Sequence, residues 1–293
     1  MKNAFTIFFK SLELYFSNFL NFFRYMAFPV FGQIFGLIWI CIASYAYISF
    51  LPKMMQTEVF NNFATIFLVL FLITLPGLFI LLKAFWDYLV AYGAVNSMLD
   101  GLIKSGTVYD FPAHNEVITR KTAKFIGLWL AISLLTLVAI FPLFWIFGAV
   151  LFIYFILVFQ VFVFEPDESI IGCFKRSFAL IKGKFLHTFV LMLLIGGLSM
   201  WALPAMITKI SESLKVIYFL AIPLDGFASL LPLEEINKHL PNHLNSLIVA
   251  QGMVSSFISF IIVGITLPLR TICWGLWYKD NMKQKTSKKS KEK

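Results

Sequence analysis

Charge is what this chain lacks most. Only 13% of its 293 residues are Asp, Glu, Lys or Arg, against 60% hydrophobic residues. Soluble domains run near 25% charged, so this composition excludes an ordinary water-exposed surface. The apolar runs fill most of the length and leave no stretch large enough for a separate soluble core. Cysteine is scarce too. Cys41, Cys173 and Cys273 are far apart without metal-ligand spacing, and they read as small buried apolar residues with no disulfide. Histidine is limited to His114, His187, His239 and His243. Only Glu235-x-x-x-His239-x-x-x-His243 has helical ligand spacing, and Pro241 removes a helical hydrogen bond between those histidines. A polar loop surface is the expected role, with no metal and no cofactor. No Ser or Cys shows a base partner or an elbow motif, and no glycine-rich phosphate loop occurs. The expectation is therefore a protein that is not an enzyme. The N-terminus has no charged start, short apolar core and small-residue cleavage site in sequence, so the first helix is expected to stay in the mature protein.

What is present is hydrocarbon in long runs. Residues Phe125 to Phe164 carry no formal charge over forty positions. A bilayer core takes about 20 apolar residues per helical span, so this run is two spans. Basic residues flank both sides: Arg120, Lys121 and Lys124 before it, and Lys175, Arg176, Lys182 and Lys184 after it. Positive flanks face the cytoplasm, so the crossings between them are even in number. The run reads as a hairpin turning near Pro142 to Gly148. The same reasoning predicts an all-α, polytopic integral membrane protein with six transmembrane helices as three hairpins. Expected crossings are 27–50, 64–88, 125–141, 146–164, 185–207 and 247–278. A loop containing Pro112 and His114 precedes the third.

Outside the crossings, residues 1–25 form an interfacial amphipathic helix. Phe5, Phe8, Phe9, Leu12, Phe16, Phe19 and Phe23 lie at helical spacing there, with charged and polar residues on the other side. Residues 208–245 form an extracytoplasmic cap in which TKISESLKVIYFL reads as one amphipathic helix. Residues 281–293 are a disordered basic tail. Of the 24 basic residues, 18 fall on the predicted inside and 4 on the predicted outside, which puts both termini in the cytoplasm. An internal echo supports the three-hairpin picture. Lys10, Ser11, Leu14, Phe19, Leu20 and Phe23 match Arg176, Ser177, Leu180, Phe185, Leu186 and Phe189 at a constant offset. Thr74-Leu75-Pro76 and Thr266-Leu267-Pro268 recur in even-numbered crossings.

Residues 165–183 also carry a resemblance. Glu165-Pro166-Asp167-Glu168-Ser169, then Lys175-Arg176-Ser177-Phe178-Ala179-Leu180-Ile181-Lys182-Gly183 ahead of a crossing, resembles the bacterial membrane domain of some glycerophosphoryl diester phosphodiesterases. It is similar also to stand-alone six-span inner-membrane proteins. The resemblance implies a bacterial cytoplasmic-membrane module, and it does not bring the hydrolase, whose separate catalytic domain has no counterpart here.

Candidate binding residues are charges at or in the crossings, which are costly and often functional. Lys83 and Asp87 are i, i+4 on one face. Arg270 lies eight residues before Tyr278, roughly 12 Å along a helix, and follows Pro268. It either snorkels or caps the kink, or binds a lipid phosphate or anionic solute, with Asp87 and Glu165 as charge partners. Lys175, Arg176 and Lys182 serve either as a plain positive anchor or as selective contacts for acidic phospholipid. Glu165, Asp167 and Glu168 are expected to stabilise the positive end of the basic helix, with Pro166 in its first turn. Gly32-x-x-x-Gly36 offers a close helix contact. Pro76 and Pro268 break their crossings. The expected partners are anionic phospholipids, with nucleic acid excluded because the positive charge sits beside the spans. The functional expectation is a scaffold or accessory module in lipid or envelope processes. A transporter or lipid-moving protein is the alternative.

Overall fold

The computed structural model describes residues 2–57, 62–141, 144–239 and 243–291. These residues form α-helices joined by short turns, and among them there is no strand. Five helical stretches are long and apolar enough to cross a membrane: Phe19–Met54, Phe63–Ser105, Trp145–Phe164, Phe185–Ser213 and Ser246–Gln284. The chain is thus an all-α, membrane-embedded protein. The stretch expected as the third crossing has a described apolar part, Thr122–Leu137, that is shorter.

In chain order the helices are α1 (Lys2–Ser17), α2 (Phe19–Met54), α3 (Phe63–Ser105), α4 (Phe111–Thr119), α5 (Thr122–Ile140), α6 (Trp145–Phe155) and α7 (Val158–Phe164). They continue as α8 (Ile170–Ile181), α9 (Phe185–Gly196), α10 (Leu203–Ser213), α11 (Val216–Ala228), α12 (Leu233–Asn237), α13 (Ser246–Ile265) and α14 (Leu267–Lys291). A π-helical turn, Gly197–Ala202, joins α9 to α10. The chain divides into two units. The first holds residues 1–25, 89–200 and 266–293; the second holds 26–88 and 201–265.

In the first unit, α14 is the central element. From Thr266 to Tyr278 every residue is buried except Arg270. Helix α1 packs on α14 and α9 through Ala4, Ile7, Ser11 and Tyr15, which are buried, while Phe5, Phe9 and Phe16 are exposed. Small side chains let helix backbones approach, and large apolar ones facing lipid carry no solvation cost. The first helix ends earlier than the expected residue 25. Asn18 breaks it: its amide donates to the carbonyls of Leu14 (3.1 Å) and Gly106 (2.8 Å) and accepts from Val108 N (3.1 Å). A buried amide satisfied at three points fixes a turn more firmly than helix propensity opposes it.

Other boundaries also differ from the sequence reading. The stretch around His114 is not a loop but helix α4, started by Asp110, whose side chain accepts from Ala113 N, and by Pro112 in the first turn. The peptide TKISESLKVIYFL is not one helix. It breaks at Leu214 and Lys215, the latter left-handed at φ 57°. The basic tail is helical to Lys291 rather than disordered, since Lys and Gln propagate a helix already nucleated earlier in α14. Pro142, expected at the turn of the 125–164 hairpin, lies outside the described residues, as does Pro241.

In the second unit α2 and α3 meet at their glycines. A Cβ added at Gly36 would lie 2.7 Å from the Gly77 carbonyl oxygen, and one at Gly32 would lie 2.8 Å from Ala84 Cβ. Pro76 sits inside α3, where Thr74 Oγ1 donates to the Leu70 (2.9 Å) and Phe71 (3.0 Å) carbonyls. Helices α11 and α13 bury Ile217, Ala221, Ala228, Ala250 and Val254 against one another.

Candidate binding sites

Helix α8 begins at Ser169, whose hydroxyl accepts from Gly172 N at 3.0 Å. Its inner face is Cys173, Ser177, Leu180 and Ile181, all buried. Ser177 Oγ donates to the Tyr154 carbonyl (2.8 Å) and accepts from Leu157 N (3.2 Å), so it bridges the break between α6 and α7. The outer face carries Ile171, Lys175, Phe178 and Lys182, all exposed. Lysines interleaved with exposed apolar side chains suit a lipid surface, where stems lie along hydrocarbon and ammonium groups reach phosphate.

Arg176 is turned the other way. Its Nε lies 2.9 Å from both oxygens of Glu165, and Tyr278 Oη donates to Glu165 Oε1 at 2.6 Å. Arg176 Nη2 also reaches Met282 Sδ at 3.2 Å, and Phe164 stacks on Tyr278. Lys184 donates to Asn281 Oδ1 (2.6 Å), Trp277 donates to Thr188 Oγ1 (3.0 Å), and Lys279 pairs with Asp100. These contacts fasten α3, α7, α8 and α9 to α14 in a polar belt. Glu165 therefore does not serve the positive end of α8. Pro166 lies before that helix, and its carbonyl accepts from Lys121 and Lys124, each at 3.2 Å. A partly buried carboxylate gains more from a guanidinium and a phenol than from an exposed helix end.

Arg270 lines a cavity of about 240 Å³ within the first unit. Six aromatic side chains wall it: Tyr92, Trp129, Phe152, Phe155, Phe159 and Trp274. Met192, Ile195, Gly196 and Met200 contribute from α9 and the π turn. Arg270 Nη1 donates to Thr266 Oγ1 at 3.1 Å, and Thr266 Oγ1 donates to the Ser199 carbonyl at 3.4 Å. The guanidinium is thus positioned by the residue of the Thr-Leu-Pro motif four places earlier. The two carboxylates expected as its partners are engaged elsewhere, Glu165 by Arg176 and Asp87 by Lys83 at 2.5 Å. Trp129 contributes an indole N–H that is buried without a hydrogen-bond partner.

No family model matches this chain, and neither a curated protein nor a solved structure matches it. The sites rest on their own geometry.

The remaining candidates separate. Lys83 and Asp87 form a local pair in the second unit, with Lys83 5.9 Å from the Phe28 ring centroid. Glu235 pairs with Lys238 at 2.6 Å, and the described residues contain no group of three potential metal ligands. Sequence reasoning missed two polar contacts, one buried and one half-buried. Gln160 Nε2 donates to Asn96 Oδ1 at 3.3 Å inside the first unit. Ser97 Oγ lies 2.9 Å from His114 Nδ1, and burial pulls the imidazole below its usual range while Asp110 opposes the shift. Neither is signalled by spacing, because each joins residues brought together only by packing. In the second unit a larger apolar cavity, about 680 Å³, is lined by α2, α11 and α13, with Tyr45, Phe227 and Phe257 in its wall.

Proposed function

We propose that this chain is a non-enzymatic, six-crossing module of a bacterial cytoplasmic membrane, seated on anionic phospholipid and serving as scaffold or accessory in lipid or envelope processes. Both termini and α8 face the cytoplasm in this reading, following the distribution of basic residues. The observation that carries it is the outer face of α8, where Lys175 and Lys182 alternate with exposed Ile171 and Phe178. The polar belt supports it by fixing α8 against α14, so that this face is presented as a rigid ridge. The resemblance of residues 165–183 to membrane domains attached to phosphodiesterases points the same way.

The test is lipid selectivity. Each lysine near an anionic surface is worth about 1 kcal/mol, or roughly fivefold. The Lys175→Gln, Lys182→Gln double variant should co-purify with about 25-fold less phosphatidylglycerol relative to phosphatidylethanolamine, read by native mass spectrometry. An unchanged lipid ratio in the folded variant would remove the basis for this function.

A second reading, a transporter or lipid-moving protein, is favoured by the Arg270 cavity. A charged side chain, a π turn and a proline-broken helix meet there, as at the midplane sites of many carriers.

A further inference from the structure

The wall of the Arg270 cavity is chemically lopsided. It has one fixed cation, a hydroxyl-bearing ring in Tyr92 and indole N–H groups at Trp129 and Trp274; the other lining side chains are hydrocarbon or thioether. No Asp or Glu is among them. An inorganic anion entering such a site exchanges full hydration for one guanidinium and three neutral donors, which is unfavourable. A sugar phosphate or zwitterion brings more polar groups than the wall can pair. An oxyanion on an apolar chain loses little, because its chain replaces lipid by aromatic and Met contacts while its head meets the planar fork of Arg270. The volume adds a limit. At about 240 Å³ the cavity falls just below the usual range of ligand pockets, about 300–1,000 Å³, enough for a head and part of one chain and too small for a diacyl lipid.

We propose that the Arg270 cavity binds the oxyanion head of a single-chain amphiphile, an alkyl carboxylate or alkyl phosphate. The site is separate from the α8 ridge and does not depend on it. Thr266 is the positioning residue, holding the guanidinium through its hydroxyl. Ser199 supplies the carbonyl on which Thr266 is seated, and Ser199 Oγ donates from the π turn back to the Ile195 carbonyl of α9 at 2.6 Å. Gly196 keeps the chain path open, since a Cβ added there meets no atom within 4 Å.

That open space provides a variant that leaves Arg270 untouched. Gly196→Leu fills the cavity without a backbone clash. Gly197→Leu also has no neighbour within 4 Å and is not part of the wall, so it serves as the control. The probe is terminally brominated dodecanoate, added to the full chain in a neutral maltoside, with quenching of Trp129 and Trp274 as the signal. Wild type and Gly197→Leu should show saturable quenching. Arg270→Leu and Gly196→Leu should weaken it by about tenfold or more, the scale of losing a hydrogen bond to a charged group. The brominated alcohol of the same length should bind at least about tenfold less well. Competition by dodecanoate or by dodecyl phosphate then assigns the head as a free fatty acid or a lysolipid phosphate. Wild-type binding in either folded variant, equal binding of the alcohol, or equal competition by inorganic phosphate would overturn the assignment. The α8 double variant should bind the probe as wild type does, so failure of one site leaves the other standing.

Discussion

Glu165 is the joint through which α8 and α14 hold one another, and removing it gives the sharpest test of the polar belt. Its side chain is 21% exposed and that of Arg176 is 24% exposed, so the pair is mostly but not wholly screened from water. Glu165→Ala leaves Arg176 without its carboxylate and Tyr278 without its acceptor. Truncating one partner of a buried pair costs about 3–5 kcal/mol, and the residual exposure brings this to roughly 2–3 kcal/mol. Tyr278→Phe removes only the 2.6 Å hydrogen bond to Glu165 Oε1, worth about 1.5 kcal/mol to a charged acceptor. Once Glu165 is gone, that hydroxyl has lost its carboxylate. The double variant should therefore be no less stable than Glu165→Ala alone, a coupling of about 1 kcal/mol or more. Equilibrium unfolding in mixed micelles titrated with dodecyl sulfate, followed by helical circular dichroism, measures all three. Additive losses within about 0.3 kcal/mol would mean that Tyr278 acts independently of Glu165, and the belt as drawn would be wrong.

Topology and packing give two more expectations. Cysteine probes at Ser213 should be labelled from outside intact cells and probes at Ser169 should not; labelling at Ser169 would break the hairpin made by residues 125–164 and the six-crossing arrangement with it. Gly36→Leu forces side-chain atoms against the Gly77 carbonyl and Leu81, so it should cost about 1–3 kcal/mol in the same micelle titration, and a silent substitution would show that the α2–α3 contact is loose.

Composition and run length pointed to a helical membrane protein, because thirteen per cent charge marks a lipid-embedded chain and unbroken apolar runs of about 20 residues fit helical spans rather than the alternating strands of a barrel. They located Arg270, the break at Pro268, the Gly32–Gly36 face and the amphipathic α8, since each is a local pattern along one helix. They did not locate what those residues touch. The helix breaks at Asn18, between α6 and α7, and at Lys215 follow from hydrogen bonds or backbone geometry that no spacing announces; Ser177 bridges the second by reaching back to Tyr154 and Leu157. Glu165 and Arg176 are only eleven positions apart, yet their third partner, Tyr278, comes from the far end of the chain. Arg270 was legible as a costly charge from its neighbours in sequence. That it is the one residue between Thr266 and Tyr278 that is not buried, and that it lines an aromatic cavity, was decided by tertiary packing, because only the assembled bundle determines what surrounds each position of a helix.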